Sequence, residues 1–375
     1  MIGARALSAV FCLLVAAGSG LQPSPGFAQS TSVAAQAMQW PPADETLTLF
    51  LRMDPVDADV LFHKDPYDTS SFAVSIEEDG RLLSGRIEIA AALVRDLPRK
   101  SLLLNLAAGD SWHGLRQVSL NAMGTDSTML REYLTWSLFR VLGMAVPRVQ
   151  YARVTINNEY IGLFLFVEAV APEMFDRRGL GGDGALFRPR AGGYCGDLTV
   201  ASLDRAGDCW EKLSPAGTDA WELAALIREI EATPVASFAA FVDRRFDVDS
   251  LLNWLAATIL TSDNETYNKG YFLYRSRREP ARWTVAPWGH DRAYGRVWDP
   301  VRAFPADLYN DNFRYSDPPD LGAANPLKDK LFANPELFRR LKLRLGHLLG
   351  VGAPEPGAPA AAYGWFSPPR VNERL

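Results

Sequence analysis

The chain has 375 residues, 48% of them hydrophobic and 22% charged, and carries a formal net charge of −5. That length suffices for one large globular domain or two small ones, and the composition is ordinary for a folded enzyme. The acidic balance argues against nucleic acid or an anionic membrane surface as the main partner.

The chain opens with Arg5 as a short basic region, an apolar run from Ala6 to Ala17, and a small-residue site at Gly26-Phe27-Ala28. This pattern predicts a signal peptide over residues 1–28, with a retained membrane anchor as the alternative. The run is shorter than the roughly 20 residues of a spanning helix. The expectation is an exported protein (periplasm, cell surface or extracellular) with no integral membrane segment after cleavage. Residues 29–45, rich in Ser, Ala, Gln and Pro, read as a linker.

Strand signals follow. LTLFLRM, SFAVSIEED, GRIEIAAAL and KSLLLNL, starting at Leu47, Ser71, Gly85 and Lys100, show apolar runs or alternation with few turn residues. Asp126 and Ser127 are placed to cap a helix that carries Leu130, Leu134, Leu138 and Leu142 and ends at Gly143. Two further strands, PRVQYARVTINN and YIGLFLFVEAV, meet at Asn157-Asn158-Glu159, a hairpin signal. A short strand, ALFRPR, leads into a glycine-rich stretch with Cys195.

Once Cys12 leaves with the leader, Cys195 and Cys209 remain as an even pair. In an oxidising compartment they predict a disulfide, with two free thiols as the alternative. Closing that loop stabilises by about 3 kcal/mol in the chain-entropy model. His63, His113, His290 and His347 form no ligand-spaced cluster with the cysteines, which speaks against zinc.

The second half begins with helices over 220–231, 237–244 and 250–260, the last behind Asp249 as its cap. The strands YFLYR and RWTVAPW come next, then an irregular stretch to about Ala324. Asn334-Pro335-Glu336 start a helix carrying Leu337, Leu341, Leu345 and Leu348. Residues 351–375, with GAPEPGAPAAA, are expected to be a disordered or truncated tail. The order of elements predicts an α+β fold in two lobes, with a cleft between them for a ligand.

The stretch TILTSDNETYNKGYFLYR (Thr258 to Arg275) runs an apolar helix into Asp263, then Asn268, then an aromatic strand. Upstream, Lys100 precedes a strand and Glu132 lies on the first helix; downstream, Asp291 follows a strand pair. In that order the residues follow the logic of phosphoryl transfer. A lysine held by a glutamate neutralises nucleotide phosphates, a loop Asp orients the acceptor hydroxyl, and Asn with a second Asp holds Mg²⁺. Singly, each has a plainer reading: Asp263 as a turn former, Lys100 as a solvated strand-end charge, Glu132 as a partner of Arg131 or of solvent. No GxGxxG precedes Lys100, and there is no HRD or DFG motif.

Whole segments carry more. VLFHKDPYDTSSFAVSI, LPRKSLLLNL, LNAMGTDSTMLREYLTWSLFRVLGMAVPRVQYARVTINNEYIGLFLFVEAV, YCGDLT and APWGHDRAYG together resemble the CotH family of atypical, secretory-type protein kinases, over about Leu47 to Leu349. The resemblance implies a divergent bilobal kinase-like fold over 46–350, with a strand-rich lobe over about 46–170 and a helical lobe over about 171–350. It also implies ATP with Mg²⁺ or Mn²⁺ as cofactors and Ser/Thr of exported proteins as acceptors. Carried onto this chain, Asp263 is the catalytic residue, Lys100, Glu132, Arg95 and Glu168 lie on the nucleotide side, and Asn268 and Asp291 are the metal ligands.

The chain also departs from the family pattern. An Arg-Gly-Ser-Ser-Arg-like turn is replaced by IAAALVRD, which keeps Arg95 only; the first acid of Pro-Trp-Asp-x-Asp is Gly289, with Asp291 or the nearby His290 as its substitute if that acid is the metal ligand; and Asn268 stands two residues before Gly270, where the family has its Asn. These departures leave a second expectation open, a pseudokinase that binds nucleotide or a partner without turnover.

Two further motifs have plain readings. GDSWHG (Gly109 to Gly114) resembles an esterase serine motif, but no GxSxG elbow or closing Asp-x-x-His accompanies it, so Ser111 reads as a turn residue. Trp283 and Trp288 read as core strand residues rather than a carbohydrate platform.

Overall fold

Alternating apolar residues in the first half build strands whose inward faces meet. The computed structural model of the chain describes residues 45–372, apart from 91–96, 125, 191–194, 218, 264–266, 268, 292, 295, 300–303 and 308–324. They belong to one compact unit of the chain, Gln39–Leu375. The expected leader and nearly all of the expected linker lie outside the described residues, as do Arg95 and Asn268.

The first elements are β1 (Leu47–Arg52), α1 (Pro55–His63), β2 (Phe72–Glu78), β3 (Arg81–Ile89), β4 (Leu102–Leu106), β5 (Gln117–Asn121), α2 (Arg131–Val141), β6 (Val149–Ile156) and β7 (Glu159–Glu168). Their strands close a barrel in the order β1-β2-β3-β4-β5-β7-β6. Closure comes from β6 running parallel to β1, with Leu49 opposite Val154. Leu49, Ile76, Ile87, Leu104, Leu120 and Phe166 fill the inside. At the β6–β7 turn Asn157 and Asn158 take left-handed φ of 50° and 71°, which suits a tight hairpin and which asparagine tolerates. Ser111 lies in the β4–β5 connection, as expected.

Then come α3 (Pro172–Asp176), β8 (Ala185–Pro189), α4 (Ala201–Asp204), α5 (Ala206–Cys209), β9 (Trp210–Ser214), α6 (Trp221–Ala232), α7 (Phe238–Arg245), α8 (Val248–Leu260), β10 (Tyr271–Arg275) and β11 (Trp283–Pro287). The chain continues with β12 (Arg296–Asp299), β13 (Phe304–Asp307), α9 (Pro326–Ala333), α10 (Pro335–Leu349) and α11 (Pro368–Asn372). A sheet ordered β11-β10-β8-β9 is covered on both faces. Along β10, Tyr271 and Leu273 enter a core shared with Trp254 and Trp283, while Phe272 and Tyr274 pack with Met174 and Phe175. The larger core also takes Trp136, Leu138 and Phe139 from α2. Cys195 and Cys209 form the expected disulfide, with Cα atoms 5.1 Å apart. The fold is α+β.

Several boundaries differ from expectation. Helix α2 starts at Arg131, because Asp126 reaches forward across a turn and accepts the backbone N–H of Arg131 at 3.0 Å. The cap of α8 is Asp247, which accepts the N–H of Ser250 at 3.2 Å, while Asp249 pairs with Arg344 at 2.8 Å. The stretch expected to be irregular contains the β12–β13 pair and leads into α9, capped by Asn325 on the N–H of Lys328.

The tail is the largest correction. Residues 351–372, expected to be disordered, fold back on α10: Gly364 N–H bonds His347 O at 2.8 Å and Phe366 N–H bonds Leu348 O at 3.0 Å. Ala362 and Trp365 are buried there. Arg344, itself buried, bonds Glu355 at 2.6 Å and reaches Asn253 and Asp249 on α8.

Candidate active site

Four elements bring their ends together. The apolar face of α8 carries that helix to Leu260; Ser262 then turns with φ +46°, and Asp263 N–H bonds Thr258 O at 3.0 Å. Asp263 is thereby buried, at 2% exposure. Beyond β11 the chain passes Trp288 and Gly289, whose φ of +72° is left-handed and favours glycine. This turn leads to His290, which is fully buried. His290 Nδ1 lies 2.6 Å from Asp263 Oδ2; facing a carboxylate oxygen, Nδ1 carries the proton and donates it. The imidazole packs against Trp136 and Phe139 of α2, with ring centroids 4.5 Å and 4.9 Å away.

Glu132 lies in the first turn of α2. Its Oε1 accepts from Trp136 Nε1 at 3.2 Å, and its Oε2 accepts from Asn121 Nδ2 at the end of β5. Its carboxyl is pushed up to about 8, first by burial and then by the negative charge of Asp291, with Asp263 adding to it. The two hydrogen bonds favour the charged form and work the other way. Asp291 is raised too, by burial and by Asp263, against the nearby positive charge of Lys269 and His290. Thus Glu132, Asp263 and Asp291, distant in sequence, share one neighbourhood with an excess of negative charge.

Arg131, beside Glu132, ties the loop of Asp291 down: its Nη1 donates to Tyr294 O at 2.7 Å and Ala293 O at 3.3 Å. Tyr294 N–H in turn bonds Thr261 O, on the approach to Asp263. Lys100 is half-buried at the entry to β4. The β4–β5 register pairs Leu102 with Leu120 and brings Ser101 Oγ to 3.4 Å from Asn121 Oδ1, so Lys100 stands at the barrel end where Asn121 meets Glu132. Glu168 stands at the other end of β5, opposite Val118, where its Oε2 accepts from Arg148 N–H at 2.9 Å and Arg177 Nη2 at 2.5 Å. Trp283 is a buried core residue as expected.

Sequence reasoning does not single out Asn121, Arg131, Trp136 or Lys269, and it reaches His290 only as a substitute for the missing acid. Arg131 stands inside the DSTMLRE part of the family-like segment and His290 inside APWGHDRAYG. Their pairings span 11 residues for Asn121–Glu132, 27 for Asp263–His290 and 163 for Arg131–Tyr294, which no local pattern encodes.

A hard divalent cation fits the donor set in chemistry and charge, since oxygen donors suit Mg²⁺ and Mn²⁺ and a cation relieves the repulsion that raises Glu132. Among the described residues no three His, Cys, Asp or Glu side chains form a ready-made metal cluster.

The chain resembles a Helicobacter pylori proinflammatory kinase, CtkA, in structure at 11% identity over 88% of this chain and 94% of that one, but the TM-score of 0.29 is too low to bear on the fold. The inner spore coat protein H of Bacillus subtilis (strain 168) is 29% identical over 243 residues, 62% of this chain, and the match spans 65% of that protein's length. A family model described as CotH kinase protein matches residues 87–351, and the chain belongs to the CotH family.

Proposed function

We propose that this chain is an exported protein kinase that transfers the γ-phosphoryl group of ATP to Ser or Thr of secreted or envelope proteins. The observation that carries the reading is the convergence of Glu132, Asp263 and Asp291 in a buried, negatively charged site, from three segments that the CotH resemblance marks as functional. In this reading the barrel and the helical part serve as the two lobes of a divergent kinase-like fold, with the boundary near residue 170. Export is supported by the leader-like N-terminus and by the Cys195–Cys209 disulfide. Among the described residues no helix is long and apolar enough to cross a membrane.

Asp263 accepts the proton of the acceptor hydroxyl as its oxygen bonds to the γ-phosphorus and the bond to the bridging oxygen of ADP breaks. Asp291, with Asn268, holds the divalent cation, which when bound neutralises the charge on the phosphates. Lys100 and Arg95 meet the nucleotide phosphates, and Asn121 and Trp136 hold Glu132 beside them. Glu168, at the end of β5 away from Asn121, braces the barrel through Arg148 and Arg177 and does not meet the nucleotide phosphates. Arg131 keeps the Asp291 loop in reach of Asp263.

The test is transfer of labelled γ-phosphate by the purified full chain with Mg²⁺ or Mn²⁺, onto itself or onto casein. Label on the wild type and none on Asp263→Ala is the expected result. A folded wild type that transfers nothing with either metal overturns the reading.

A further inference from the structure

The geometry points to His290 as the positioning residue of Asp263: through Nδ1–H it fixes the direction of the carboxylate that receives the acceptor proton. The inference rests on the kinase reading of the site. Three observations support it. The contact is short, 2.6 Å, and dry, since both side chains have 1% exposure or less. The ring has no freedom to turn, because Trp136 and Phe139 close on it from the same face of α2 that presents Glu132. Its second nitrogen is unused: Nε2 is buried with no hydrogen-bond partner among the described residues.

A histidine retained only as a polar knot in the core would be expected to satisfy both nitrogens. Here one nitrogen is aimed and the other is left in an aromatic slot, the arrangement of a ring held for the sake of a single bond. The need for it is electrostatic. The charge of Asp263 raises both Glu132 and Asp291, so the three carboxyls repel one another, and a donor on one Asp263 oxygen holds its carboxylate against that repulsion. Gly289 makes the aim possible. Its left-handed φ, with no atom within 4 Å of where a Cβ would stand, turns the chain so that residue 290 returns to Asp263 while Asp291 stays half-buried. The chain therefore lacks the acid that the family resemblance calls for at 289, and has a donor at the next position.

Two measurements test this. The first reads the bond itself by NMR of the full chain. A slowly exchanging, strongly downfield imidazole N–H, assigned by its loss in His290→Phe, moves upfield in Asp263→Asn; absence of such a signal in the wild type, or no movement in Asp263→Asn, overturns the assignment. The second reads its use in γ-phosphate transfer. His290→Phe keeps a ring in the slot and removes the donor, and lowers kcat about 100-fold with KM for ATP changed less than about twofold. His290→Asn restores an N–H near the Nδ1 position and recovers about tenfold of that loss. Wild-type kcat in folded His290→Phe, or equal losses in the Phe and Asn variants, shows that the residue only packs and overturns the inference. A wild type that transfers no phosphate defeats the kinase reading alone, and the resonance still decides whether His290 orients Asp263.

Discussion

Trp136 donates its indole N–H to Glu132 Oε1 at 3.2 Å, one turn back on the same helix, while its ring stands edge-on to His290 at 4.5 Å. One side chain thus steadies a carboxyl of the site with its polar edge and the imidazole with its apolar body. The N-terminal half of α2 therefore meets the candidate site through both Glu132 and Trp136.

Glu132 gives the chain a measurable pH dependence. Its carboxyl rises from 4.5 to about 8 on folding, so the native state keeps a proton that the unfolded chain releases. The stabilisation is fully present below pH 4.5 and is lost as pH rises toward 8, at roughly 1.4 kcal/mol for each pH step of one. Urea unfolding of wild type and Glu132→Gln at pH 5 and pH 8 checks it. The wild type loses more stability than the variant across that interval.

Arg344 clamps the tail to α8 and α10. Removing its guanidinium leaves Glu355, whose side chain is 14% exposed, without its partner and opens space beside α8, so Arg344→Ala destabilises by about 2 kcal/mol. Limited proteolysis locates the effect: the variant is cut within 351–372 under conditions where the wild type resists.

Gly289 is required by its backbone and not by crowding, because φ is +72° and the space beside it is open. Gly289→Ala costs about 1 kcal/mol in denaturant unfolding, and Gly289→Asp costs no more than that, since Asp visits the left-handed region more readily.

The Cys195–Cys209 bond closes a loop across a sequence separation of 14, for which chain entropy gives about 3 kcal/mol. Dithiothreitol lowers the urea midpoint of the wild type accordingly and leaves Cys195→Ser, already at the lower value, unchanged.

What is legible in the sequence is whatever repeats locally. Val74 and Ile76 alternate inward along β2, and the Asn157-Asn158 turn has its own signature. The start of α2 is hidden because Asp126 works on Arg131 across an intervening turn, which looks in sequence like a cap set too early. Helix α9 escapes notice because its cap, Asn325, follows a long stretch without periodicity. The proline and alanine content of the tail suggests disorder, although Tyr363 donates to Gly352 O at 2.7 Å and Trp365 is buried. Composition does not register such contacts. At the site, Asp263, Glu132 and Asp291 are visible through motif order, whereas the tie from Asp263 to His290 exists only once α8 and β11 are packed side by side.

The insertion of α2 between two barrel strands has one more effect. Its sequence neighbours are β5 and β6, yet Trp136, Leu138 and Phe139 belong to the core built with the second half. A piece cut after β7 would present those three side chains to water, and the complementary piece would have a hole where they belong. The two cores are thus joined through α2, and the expected outcome of thermal unfolding is a single transition in which both cores come apart together.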